Sequence, residues 1–193
     1  MPNRFYPRNA VDQGAITQTR QKAAQIVQTL AASVNAASDL MYRDLLPRDF
    51  TQNGATDLGY LTNPAALVAN TWLNNVFPDA VTKTTQAFAI LGIALRNTAG
   101  SATPPRLDAV EIMVASKLVV YAPLSEIQAP AAGTTPQEGY WFEPVWVPPQ
   151  TQLTINLLSG TGQTISTEQF VFIGVVGEKE GDLTNSQASP QSS

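Results

Sequence analysis

Glu111, Glu126, Glu138, Glu143 and Glu168 are spread through the later half of the chain as its candidate proton-transfer groups. Carboxylates do general acid–base work when two of them are held at a fixed separation, and no paired motif joins these five. Glu143 stands among Trp141, Phe142 and Trp146, the residue types of a sugar site in which apolar walls raise the pKa of an acid. The preferred reading of that string is simpler: an outward-facing Glu on an edge strand. Glu178, Glu180 and Asp182 flank Gly181 and offer oxygen to calcium, but their spacing departs from the ligand order of an EF-hand loop. Gly160-Thr161-Gly162 has no helix after it and reads as a turn, not a phosphate cradle. The chain contains no His and no Cys, which removes Ser-His and Cys-His nucleophiles, thiolate chemistry, disulfides and Cys/His metal sites. The expectation is a protein that is not an enzyme, with no cofactor, no metal and no small-molecule substrate.

Charged residues make up 13% of the 193 residues, against about 25% in ordinary globular domains. The polar surface must therefore come from Thr, Gln, Asn and Ser. Such side chains solvate well and let identical copies approach closely without mutual repulsion. Residues 1–50 hold six basic and four acidic side chains, a net of +2, and the remainder carries −6, giving the overall −4. That imbalance is too small for strong counterion-release binding. Contact of the N-terminal part with nucleic acid or a lipid head-group layer is the weaker expectation, and contact with the acidic part of an adjacent copy the stronger. No apolar run reaches the ~18 residues of a membrane span, and the first residues do not resemble a secretory signal.

Four zones position these residues. Residues 1–12 carry Pro2 and Pro7 and read as an extended arm, with Phe5 and Tyr6 free to lie in a groove of a neighbour or of their own domain. Residues 13–46 read as one long helix, with Asp12 as N-cap and Pro47 as stop. Ile16, Ala23, Val27, Leu30, Val34, Ala37, Met41 and Leu45 form a narrow seam along it. Gln18, Gln21, Gln25, Gln28 and Asn35 cover the other side, without the charges that flank a free coiled coil. The seam is expected to close on a neighbouring subunit, the alternative being one face of its own domain.

Residues 47–177 read as a β-sandwich domain with short helical insertions. Asn63-Pro64 marks a short helix running to Leu73, and 107–121 a short helix or turn leading into a strand. Gly92 marks a bulge, and Pro144 an edge or bulged strand. Leu153, Ile155 and Leu157 alternate with polar residues, and 170–176 is a nearly continuous apolar strand. Residues 178–193 read as a polar tail. Strands joined by Pro/Gly/Thr loops, without crossover helices, favour an antiparallel sandwich of jelly-roll type.

The apolar segments 88–95, 118–124, 145–158 and 170–176, set behind a proline-rich arm and a neutral helix, resemble virion structural proteins of icosahedral bacteriophages, in particular jelly-roll capsid or capsid-associated subunits. That resemblance implies a place in the virion, many copies, arms exchanged between subunits, and copies of itself and other virion proteins as partners. Shell, cement, vertex and connector positions all remain open. The alternative is a receptor- or glycan-binding adhesion module that uses an aromatic edge of Tyr140, Trp141, Phe142 and Trp146.

Overall fold

The structure is a computed structural model and describes residues 5–7, 12–35, 40–45, 49, 65–76, 81–95, 107–124, 127, 137–165 and 170–179. These residues are mainly β, with antiparallel sheets and one helix. Strand β1 (Phe5–Pro7) precedes helix α1 (Gln13–Asn35), then come β2 (Leu40–Asp44), β3 (Ala65–Leu67), β4 (Thr71–Leu73) and β5 (Ala87–Leu95). The chain continues through β6 (Ala109–Val114), β7 (Lys117–Pro123), β8 (Gln137–Val147), β9 (Leu153–Ser159), β10 (Gln163–Ile165) and β11 (Phe170–Lys179).

The pairings are nested. β2 pairs with β11, β4 with β9, β5 with β8, and β6 with β7, as if one long hairpin had been folded over. Two further pairings, β11 with β5 and β6 with β9, join these into sheets of order β1-β8-β5-β11-β2 and β4-β9-β6-β7. A small β10–β3 pair completes the set.

β5 is buried along its whole length because both of its faces are covered. Phe88, Ile90, Ile93 and Leu95 join Val110, Ile112, Leu153, Ile155 and Leu157 of the four-stranded sheet in one large cluster. Ala87, Ala89 and Leu91 face the other way and join Ala23 and Val27 of α1 and Val175 of β11. The change of parity between Ile90 and Ile93 needs a bulge, which both neighbouring strands record at Ile90–Gly92 and Ile173–Gly174. A side chain at Gly92 would run into the carbonyl of Gly139 on β8, so the ladder closes here only around glycine.

Asp12 caps α1, its carboxylate accepting from the Ala15 amide at 3.2 Å. The helix ends at Asn35, short of the expected 46, and residues 40–44 are strand. Met41 and Leu45 extend the helical spacing of the seam only by coincidence. The pairing of Leu40–Asp44 with β11 and the engagement of Arg43 described below favour the extended form. The short helix expected before Leu73 is instead β3, a turn with Asn70 at φ 55°, and β4. The helix or turn expected over 107–121 is the β6–β7 hairpin. Its two-residue turn places Ala115 and Ser116 at φ 49° and 65°, the left-handed pair that suits the twist of a tight hairpin. Strand β11 runs to Lys179 and buries Glu178, so the polar tail does not begin at 178. Residues 141–144 leave the ladder with β5: while β5 advances from Ile90 to Gly92, β8 goes from Val145 back to Tyr140, and Pro144 falls in that gap.

Two outcomes are expected. A Cβ at Gly177 of β11 would lie 2.5 Å from Val27 Cγ1 and 3.0 Å from its backbone. Gly177→Ala therefore lowers unfolding free energy by about 1–3 kcal/mol. Val27→Ala added to it recovers only part of the sheet-to-helix fit, giving a non-additive cycle in urea denaturation. Replacing the hairpin pair by Ala115→Asn with Ser116→Gly puts residues that tolerate the left-handed region at both positions and raises the thermal midpoint, for a gain of about 1 kcal/mol.

Candidate functional site

The helix seam is not one surface. Ala23 and Val27 are fully buried against the chain's own five-stranded sheet, with Leu30 half-buried beside them. Ile16 is half-buried. Val34 belongs to α1, with its side chain outside the described residues, and Ala37 lies outside them altogether. Met41 sits on edge strand β2 and is 44% exposed, whereas Leu45 is buried in the large cluster. The expected closure of the seam on a neighbour is thus replaced, at Ala23 and Val27, by closure on the domain itself. The reason is that Ala87, Ala89 and Gly177 present a surface flat enough to receive the helix. Phe5 and Tyr6 pair through their backbones with Trp141 and Tyr140 of β8; their side chains lie outside the described residues.

The aromatic string of β8 likewise divides. Trp141 is 4% exposed and fills the large cluster, while Tyr140 and Trp146 pack on the helix side. Strand alternation forbids neighbouring residues from sharing a face, so Tyr140, Trp141 and Trp146 do not form one edge. The side chain of Phe142 is outside the described residues, and Glu143 is exposed. A cleft of about 220 Å³ opens between the start of α1 and the sheet, lined in part by Ile16, Leu91, Tyr140 and Phe172. The exposed Arg20–Asp44 ion pair and the Tyr140 hydroxyl, which donates to Glu138 at 2.9 Å, supply its polar groups.

The strongest electrostatic feature was not foreseen. Arg43 Nε donates to Glu178 Oε1 at 2.7 Å, and Nη2 to Glu178 Oε2 at 3.2 Å and Asp49 Oδ1 at 2.6 Å. Nη1 donates to Asp49 Oδ2 at 2.8 Å and to the Asp44 carbonyl at 2.9 Å. All the donors of the guanidinium fork are therefore used. Gln86 Nε2 also donates to Glu178 Oε2, at 2.6 Å. Burial alone would lower the Arg43 pKa; the hydrogen bonds and charges of Asp49 and Glu178 outweigh it and hold the guanidinium above its ordinary value. This contribution is present through the neutral range and is lost only at strongly alkaline pH. Glu178, a calcium candidate in the sequence, is thus committed to Arg43 and Gln86, while Glu180 and Asp182 lie outside the described residues. Among the described residues no group of three or more acidic side chains could hold a metal ion.

The outward face of the four-stranded sheet carries the other unforeseen set. Val110 and Ile112 point into the core, so Glu111 between them points out, beside Tyr121 on β7 and Asn156 on β9. Trp72, on β4 at the opposite edge, meets Tyr121 with ring centroids 6.2 Å apart and planes inclined by 59°. Asn156 takes the Asn75 amide on Oδ1 at 2.9 Å, which turns its NH2 group onto Glu111 Oε2 at 3.1 Å. The edge strands β2 and β7 expose Met41 and Tyr42, and Leu118, Val119 and Tyr121. Single apolar exposures are unremarkable on a surface, whereas an edge strand that carries several is a candidate for pairing with another chain.

No protein-family model and no curated protein sequence matches the chain.

The Arg43 cluster has a measurable consequence. Arg43→Met leaves Asp49 and Glu178 buried without their cation and lowers unfolding free energy by about 3–5 kcal/mol. Arg43→Lys keeps the charge but not the fork, and its denaturation midpoint falls between those of Met and wild type.

Proposed function

We propose that this chain is a non-enzymatic virion structural protein of a bacteriophage, a jelly-roll subunit assembling in many copies in or on a capsid. The strand order carries the reading. With β1, β3 and β10 set aside, the remaining eight strands fall, in chain sequence, into sheets of order six-three-eight-one and two-seven-four-five. This is the order expected of a jelly roll, a double-sheet architecture used by viral capsid subunits and by lectins. The shared core of the two sheets supports packing them as a sandwich.

Fold alone does not choose between those uses. Two observations favour assembly. The edge strands β2 and β7 of the described sheets expose apolar side chains, Met41 and Tyr42 on one and Leu118 and Val119 on the other. The chain is also poor in charge, which lowers repulsion between identical copies. β1 reaches the outer edge of β8 as an appended strand, a pairing that an equivalent segment of another copy could make with the same backbone bonds.

The test is the mass of the native species by light scattering, with electron microscopy of the same sample. The full chain is expected as assemblies far heavier than the 20.7 kDa subunit. Leu118→Lys with Val119→Lys, both at exposed positions, is expected to lower that mass while leaving the circular dichroism spectrum unchanged. A wild-type chain that stays monomeric at every reachable concentration would falsify the proposal.

A further inference from the structure

We infer that Trp72, Tyr121 and Glu111, on the outward face of the four-stranded sheet, form a carbohydrate-binding site that stacks the apolar face of a neutral sugar ring. The two aromatic rings come from opposite edges of the sheet and meet above it, 6.2 Å between centroids. Tyr121 is 47% exposed and Trp72 half-buried, so aromatic area faces solvent on a rigid β platform. Glu111 stands directly beside Tyr121 in the β6–β7 register.

The polar groups around the rings choose the ligand class. Trp72 Nε1–H is a donor, the Tyr121 hydroxyl is a donor and acceptor, and Glu111 Oε1 is an acceptor. None of these three makes a hydrogen bond with the described residues, whereas Glu111 Oε2 is occupied by Asn156. A wholly apolar partner would cover all three and leave them unsatisfied, which disfavours it. A cation would satisfy the carboxylate and the ring faces but would have no acceptor for the two donors. A polyhydroxylated ring offers C–H groups on one face for stacking, and hydroxyls at its rim that both donate and accept. Glu111 is also held ready: the Asn75 amide fixes Asn156, and Asn156 fixes Glu111, so little ordering is required on binding.

Tyr121 shares strand β7 with Leu118 and Val119, but sugar binding and particle mass are separate measurements, so the failure of one is distinguishable from the failure of the other. The probes are cellotetraose, maltotetraose and chitotetraose in titration calorimetry, with insoluble cellulose and chitin in a pull-down. The free and polymeric forms distinguish recognition of a short chain from that of a polymer surface, and saturable binding to either supports the site. Tyr121→Ala should then weaken binding about tenfold, and Glu111→Gln should weaken it as well, while Tyr42→Ala on the other sheet leaves it unchanged. Absence of binding to every probe overturns the inference. So does binding that survives both Tyr121→Ala and Glu111→Gln, or a preference for tetramethylammonium over all the sugars.

Discussion

The close seating of α1 on the five-stranded sheet is the constraint on which the rest of the molecule depends. The helix comes close to the sheet where glycine and alanine line the contact. Here Ala23 and Val27 meet Ala87, Ala89 and Gly177. Dispersion falls steeply with separation, so an added methyl at the contact does not merely fill space; it lifts the helix and weakens every neighbouring contact. The seating also determines what the central strand can be. With α1 on one face and the four-stranded sheet on the other, β5 must be apolar at every position, and its bulge at Gly92 keeps the large side chains Ile93 and Leu95 turned to the main core. Ala87, Ala89 and Leu91 face the helix, and the larger set Phe88, Ile90, Ile93 and Leu95 faces the other sheet, so both layers are encoded along one strand.

β2 completes this frame at an edge, where hydrophobic contact is thin and Met41 and Tyr42 remain exposed. Arg43 substitutes for burial. A buried ion pair of ordinary geometry seldom offsets its desolvation, but one whose every donor is matched loses little by leaving water and is costly to disturb. The cluster joins β2, the end of β11, Asp49 and the turn before β5 through Gln86. It is specific as well as stabilising, because a shift of β2 by one residue would turn Arg43 to the other face and leave Glu178 buried without its cation.

Sequence patterns carried the strands whose cause is local. The alternation at Leu153, Ile155 and Leu157 corresponds to β9, the apolar run at 170–176 lies within β11 between β5 and β2, and Asp12 caps the helix. The failures are equally physical. Met41 and Leu45 keep a helical spacing beyond Asn35, yet their backbone is taken by β11, far along the chain. Leu107, Val110, Val114 and Leu118 mimic a helix, while the turn that makes them a hairpin has Ala115 and Ser116 where glycine or asparagine would have announced it. Arg43 and Glu178 are 135 residues apart, and Trp72 and Tyr121 lie on opposite edges of a sheet whose strand order no local pattern states. Aromatics adjacent in the chain, Tyr140 and Trp141, point to opposite faces, whereas aromatics distant in the chain share one.

The scarcity of charge acquires a structural meaning from where the charges go. Arg43, Asp49 and Glu178 are consumed inside, Arg20 is paired with Asp44, and Glu111 is tethered by Asn156. Among the described residues Asp12, Lys22, Lys83, Lys117 and Glu143 stay exposed as charges, set among neutral amide, hydroxyl and aromatic side chains that act only at touching distance. Charges steer approach from a distance; short-range hydrogen bonds and ring contacts act only once the surfaces touch, and they reward one geometry. The exposed apolar pairs on β2 and β7 and the polar-rimmed rings of Trp72 and Tyr121 are therefore two different kinds of surface. The first gains by excluding water altogether. The second gains only from a ligand that brings its own donors and acceptors, because water leaves those groups at a cost unless something replaces it. A contact that buried both kinds at once would set those demands against each other, which is a physical reason to assign them to different partners.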